Sequence, residues 1–201
     1  MNKQVIVDLF AEDQAHEKLL EPMIRRVARE QGVDARVRVR AARGGHGRAL
    51  AEYETYQQLL KIRQIQTAPH LIVVAIDGNC ARFGRKRQEI ERCTTNENRD
   101  RVVAACPDPH VERWFMADPD SFCRIVGARP EVRKKKCVRD HYKKSLENSI
   151  RQAGHPATLG GLEFAEELVE DMDLYRAAKS DHSLRAFLDH LKDRLRATAQ
   201  G

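Results

Sequence analysis

Three acidic residues stand where apolar runs of strand length give out. Glu12 follows Val5-Ile6-Val7-Asp8-Leu9-Phe10, Asp77 closes the run from Leu71 to Ile76, and Glu112 comes shortly after Val102-Val103-Ala104-Ala105-Cys106. In an open parallel sheet, ligands bind outside the carboxyl ends of the strands. Carboxylates gathered there repel one another and are costly unless a cation lies between them. Magnesium, or manganese in its place, is the natural occupant, because it takes a few carboxylate oxygens and keeps waters for substrate phosphate. Phosphodiester cleavage is the chemistry such a set serves: phosphoryl charge is neutralised, a water activated and a leaving oxygen stabilised. In that scheme Asp77 and Glu112 hold the ion, while Glu12 moves a proton or helps to hold a second metal. His16 and His110 are accessory candidates for proton transfer, with ordinary surface histidines as the plainer reading.

The elements that must position these residues are legible in the pattern. After the first strand, Leu19, Leu20, Met23, Ile24 and Val27 recur at helical spacing, with Pro22 inside the pattern to kink the helix or mark its first turn. Ala35 to Ala41 alternates, setting Val37 and Val39 on one face and Arg36, Arg38 and Arg40 on the other, a half-buried strand with a basic outer face. Gly44-Gly45-His46-Gly47 leads into a helix over 48–62; it lacks the Lys-Ser/Thr of a P-loop and reads as a connection. A basic helix over 85–92 follows Asp77, and another short helix carries Val111, Trp114 and Phe115, both aromatics reading as core. Strand and helix alternate, and the apolar strands are continuous. The chain is therefore expected to be α/β, a Rossmann-like core with a mostly parallel four-stranded sheet flanked by helices.

Beyond Gly127 only helices are expected, over about 140–153, 162–179 and 183–197, after the basic cluster Arg133-Lys134-Lys135-Lys136. Leu184, Phe187, Leu188, Leu191 and Leu195 form one apolar stripe, so this region, 128–201, is expected to dock on the 1–127 core. The acids Glu163, Glu166, Glu167, Glu170 and Asp171 read as a solvated helix face.

A net charge of +6 favours polyanionic partners. Arg85, Lys86 and Arg87, directly after Asp77, and Arg36, Arg38 and Arg40 are the candidate nucleic-acid contacts, a solvated face being the alternative for the strand arginines. An aromatic share of 5% leaves little for a base-stacking platform. The five cysteines are odd in number and form no C-x-x-C pair, which points to reduced thiols in a cytoplasm. No leader peptide and no membrane span are read from the sequence.

The order and spacing of these segments resemble the Toprim (topoisomerase–primase) family. The run VIVDLFAED followed by Leu19-Leu20 resembles its first motif, and HLIVVAIDGN resembles its second, a strand ending in Asp-x-Asp. CPDPHVERWFMAD is similar to an element of small bacterial Toprim proteins related to the overcoming-lysogenization-defect nucleases. The resemblance covers roughly residues 3 to 125. It implies that Glu12 is a general acid/base or metal-proximal group, that Asp77 is a magnesium ligand, and that the second aspartate position falls on Asn79, which offers a carbonyl oxygen but one charge fewer. The activity expected is that of a Mg2+-dependent nuclease on DNA or RNA. An ATPase partner, a homodimer and a role in phage or mobile-element defence belong to the same implication. The alternative is a catalytically inert Toprim-like module that binds nucleic acid or a partner protein; a phosphotransferase on small molecules is a second rival.

Overall fold

In a computed structural model, residues 3–41, 44–132, 135, 137–138 and 140–200 are described. Arg133, Lys134 and Lys136 of the basic cluster lie outside the described residues. Four strands, β1 (Lys3–Ala11), β2 (Val33–Ala41), β3 (Leu71–Ala75) and β4 (Val102–Ala105), form one all-parallel sheet in the order β2-β1-β3-β4. They alternate with α1 (Gln14–Glu30), α2 (His46–Lys61) and α3 (Phe83–Cys93), and a 3-10 turn over Asn96–Arg101 leads into β4. This is the expected Rossmann-like α/β architecture with a helical carboxyl-terminal region.

The two-residue period of the strands decides which cover each side chain meets. Val5, Val7, Leu9 and Ala11 of β1 face one layer with Leu71, Val73 and Ala75 of β3, while Phe10, Ile72 and Val74 face the other. The second layer is built from α2 and α3 through Tyr53, Tyr56 and Ile90. The first layer holds α1 and everything after β4: α4 (Glu112–Phe115), α5 (Pro119–Val126), α6 (His141–Gln152), α7 (Ala165–Asp171), α8 (Leu174–Ser180) and α9 (His182–Gln200).

The carboxyl-terminal helices share one buried core with the sheet. The apolar stripe of α9 is buried throughout, and Phe187 stacks on Trp114 with ring centroids 5.5 Å apart. Arg26 of α1 donates to the Val169 and Met172 carbonyls, and Lys3 Nζ donates to the Thr198 carbonyl at 2.8 Å. Among the described residues no helix is long and apolar enough to cross a membrane.

Two helix boundaries differ from the sequence pattern. Pro22 lies inside α1, which starts earlier because Asp13 caps it, accepting from the amides of Ala15 and His16. The segment 162–179 is broken into a 3-10 turn, α7 and α8, because Asp173 accepts from Tyr175 and Arg176 and starts a new helix there.

Candidate functional site

The exits of β3 and β4 are tied together by backbone. Gly78 N donates to the Pro107 carbonyl at 2.6 Å and Asn79 N to the Pro109 carbonyl at 2.8 Å. A Cβ on Gly78 would stand 2.8 Å from the Pro107 oxygen, so only glycine permits this approach. The turn delivers Asp77 and the segment 107–112 to one cleft of about 420 Å³, lined by Asp13, Asp77, Asn79, His110, Glu112 and Lys143 together with Cys80 and Cys137.

Asp77 is the hub. Its Oδ1 accepts from Val111 N at 2.9 Å, and its Oδ2 lies 2.9 Å from His110 Nδ1. Since a carboxylate can only accept, Nδ1 carries the hydrogen, which leaves His110 Nε2 to exchange a proton with another group. On the other side, His16 is fully buried between two acids, with Nδ1 2.8 Å from Asp13 Oδ1 and Nε2 3.2 Å from Asp77 Oδ1. The second approach is a charge contact without an aligned hydrogen bond. Burial favours a neutral His16 ring, but the charges of Asp77 and Asp13 outweigh it and raise the pKa to about 10. Asp13 is held at about 2: burial works against ionisation, and the bond and charge of His16 overcome it.

The carboxyls are driven apart. Burial acts against Asp77 too, yet the His16 charge and the His110 hydrogen bond hold it below its ordinary range. Glu112 is pushed up, by burial first and then by the Asp77 charge. Glu12 is pushed up by burial, opposed by the Asp77 amide, which donates to Glu12 Oε2 at 2.9 Å. His110 is raised by its bond to Asp77, against burial. Two carboxylates held in their charged form, Asp77 and Asp13, beside others pushed toward the acid, Glu12 and Glu112, make the pattern that assigns acid and base roles.

The structure brings Asp77, Asn79, Glu112 and His110 into one cleft. Glu12 lines an adjoining acidic groove with Asp13, Glu17, Gly44 and Gly45, and meets the site through the Asp77 amide. Asn79 Nδ2 points back to the Asp77 carbonyl at 3.5 Å. With both Asp77 oxygens engaged by histidines and an amide, no group of three or more His, Cys, Asp or Glu side chains among the described residues is arranged to hold a metal ion. As placed, Asp77 is paired with His16 and His110, and Asp13 with His16.

The basic candidates separate. Arg38 and Arg40 are turned onto Asp8, fully buried in mid-β1, with Tyr56 donating to the same carboxylate; Arg38 Nη2 lies 3.0 Å from Asp8 Oδ2 and Arg40 Nε 3.2 Å. They belong to an internal ion network, and Arg36 alone of the three is exposed. Lys86 is buried and bonded to Glu89 at 2.7 Å, Arg87 pairs with Glu91 at 2.8 Å, and Arg85 stays exposed. Cys80 and Cys137, expected as free thiols, are joined as a disulfide at the cleft wall; Cys93, Cys106 and Cys123 are free.

His16 and Asp13 are the residues whose weight the sequence understates. His16 falls one turn before Leu19 and Leu20 on the buried stripe, and Asp13 stands at the cap position three residues before it.

The fold and this site define a Rossmann-like α/β protein with an acid–histidine cleft at the carboxyl edge of its sheet. The chain belongs to the family described as a domain of unknown function (DUF4276), which matches residues 11–192. No curated protein and no solved structure matches it.

Proposed function

We propose that the cleft is the catalytic centre of a phosphodiester-cleaving enzyme acting on DNA or RNA, a nuclease of the Toprim kind. The observation that carries this reading is the His110–Asp77 couple, a ring aimed by a carboxylate in a cleft it shares with Glu112. Asp77 fixes the tautomer, so His110 Nε2 takes the proton of an attacking water or returns one to the leaving oxygen. His16 keeps Asp77 charged throughout. Glu112, pushed toward its acid form, is the second proton-handling group.

Lys143 in the cleft wall and exposed Arg85 on the adjoining helix supply cations for phosphate, and the net charge of +6 suits a polyanion. Magnesium or manganese enters through the Toprim resemblance. Glu12 and Glu112 are the carboxyls it would relieve, and Asp77 would reach it only by giving up a histidine, so no step here runs through the ion. An intracellular setting, a homodimer and a partner ATPase in phage or mobile-element defence come with the same resemblance. Asn79 at the second aspartate position favours the inert binding module as the second reading.

Purified protein incubated with supercoiled plasmid and with structured RNA, in magnesium, in manganese and in EDTA, tests the proposal. Cleavage lowered about 10²–10⁴-fold by His110→Ala is expected. Cleavage unaffected by His110→Ala would reject the assigned role. Binding of either polymer without any cleavage would establish the inert module.

A further inference from the structure

A group of arginines lies away from the cleft. A second cavity of about 470 Å³ opens between the carboxyl half of α3, the 3-10 turn, the start of β4 and α9, and Arg87, Arg92, Arg99, Arg194 and His190 line it. Among the described residues Glu91 is the one acid in its wall and is paired with Arg87; Asp100 stands 3.6 Å from Arg194. Arg92 and Arg99 are exposed, and among the described residues neither has a carboxylate partner.

Four guanidiniums around one concavity repel one another. Unlike lysine, arginine cannot relieve that repulsion by shedding a proton. His190 registers the field: Arg194 Nε donates to its Nε2 at 3.3 Å, so the ring is an acceptor there. Burial, then Arg87 and Arg194, hold its pKa below the ordinary value, against Asp193 and Glu91. A phosphate oxyanion is the complementary ligand, because its oxygens match the planar donor fork of arginine.

We propose that this cavity is a phosphate-binding site, separate from the acid–histidine cleft, for the phosphate of a small ester or of a nucleic-acid backbone. It rests on the cavity's own charge and does not depend on the cleft being catalytic. The eleven residues of α3 span roughly 16 Å at 1.5 Å per residue. Phe83 at its start is bonded to Asp108, in the loop leading to His110, and Arg92 stands at its far end. A polymer lying along α3 past Arg85 would engage both sites.

The test uses the full chain with inorganic phosphate and with a fluorescent single-stranded oligonucleotide as probes, read by NMR titration of His190 and by anisotropy. Phosphate is expected to raise the His190 pKa and the double change Arg92→Gln, Arg99→Gln to weaken binding at least tenfold, while Arg36→Gln leaves it unchanged. An oligonucleotide that binds far more tightly than phosphate, with a salt slope reduced by about 1.4 in the double variant, identifies the backbone as the source. Equal binding of the two identifies a small ester. The proposal fails if neither probe moves His190, or if Arg36→Gln on the opposite edge strand weakens binding as much as the double change.

Discussion

The backbone amide of Asp77 donates to Glu12 Oε2 at 2.9 Å, joining the ends of β1 and β3 across 65 residues of chain. Glutamine at position 12 still offers an oxygen to that amide, whereas alanine leaves a half-buried donor without its partner. Glu12→Gln should therefore stay within about 1 kcal/mol of the parent in urea unfolding, and Glu12→Ala should lose about 1–3 kcal/mol. Under the proposed function, Glu12→Gln also lowers cleavage, since the charge beside Asp77 and His110 is gone. Equal stability of the two variants would show that the tether is dispensable.

His16 makes the stability of the fold depend on pH. Its folded pKa of about 10 exceeds the ordinary 6.5, so its contribution is complete below about 6.5 and is lost as pH rises through 10. Asp13, at about 2 against an ordinary 3.8, contributes above 3.8 and loses that contribution as pH falls through 2. The cluster is at full strength between these limits, at about pH 4 to 6.5. Urea midpoints at pH 6, 8 and 10 should decline in the parent and flatten in His16→Gln. An identical decline in both would place the alkaline loss elsewhere.

Asp8 should prove more important to the fold than any arginine near it. It is fully buried and accepts from Arg38, Arg40 and Tyr56, whose hydroxyl is pushed up to about 12 by burial and by that carboxylate. Asp8→Ala removes the carboxylate from Arg40, Tyr56 and Arg38, of which Arg38 keeps the Thr67 carbonyl, at a cost of about 3 kcal/mol. Arg36→Gln, at an exposed position of β2, should change stability by no more than about 0.5 kcal/mol. Thermal melts of the two variants check the contrast.

Cys80 and Cys137 close a loop of 57 residues beside the cleft. Tying such a loop restricts the unfolded chain by up to about 4 kcal/mol on a chain-entropy basis. Dithiothreitol should lower the melting temperature of the parent and leave Cys137→Ser unmoved, while Cys93→Ser behaves as the parent. A parent insensitive to the reductant, with five titratable thiols, would count against the bond.

The strands were readable because both faces of β1 and β3 are covered, so apolar residues run on without alternation. Asp8 was hidden in that same run: nothing local in VIVDLF says that two arginines of β2 will reach back to it. His16 was within reach of the helical period, but a histidine on an apolar stripe carries no label of charge until Asp77, 61 residues later, is placed beside it. Topology alone points to the acids at strand ends, and it places residues at an edge without saying which way each side chain turns. Glu12 stands at that edge but lines the neighbouring groove, with Oε2 turned to the Asp77 amide. The Cys80–Cys137 pairing spans two loops and leaves no mark in cysteine spacing.

The packing of α9 on the sheet has a consequence for how the protein is made. Trp114 and the apolar face of β4 wait for Leu184 and Phe187, and Lys3 for Thr198. A ribosome adding roughly 5–20 residues per second needs about 4–16 s to travel from β4 to Phe187. During that interval the nascent chain carries a half-roofed parallel sheet, a surface that chaperones hold and that sticks to its neighbours on the same message.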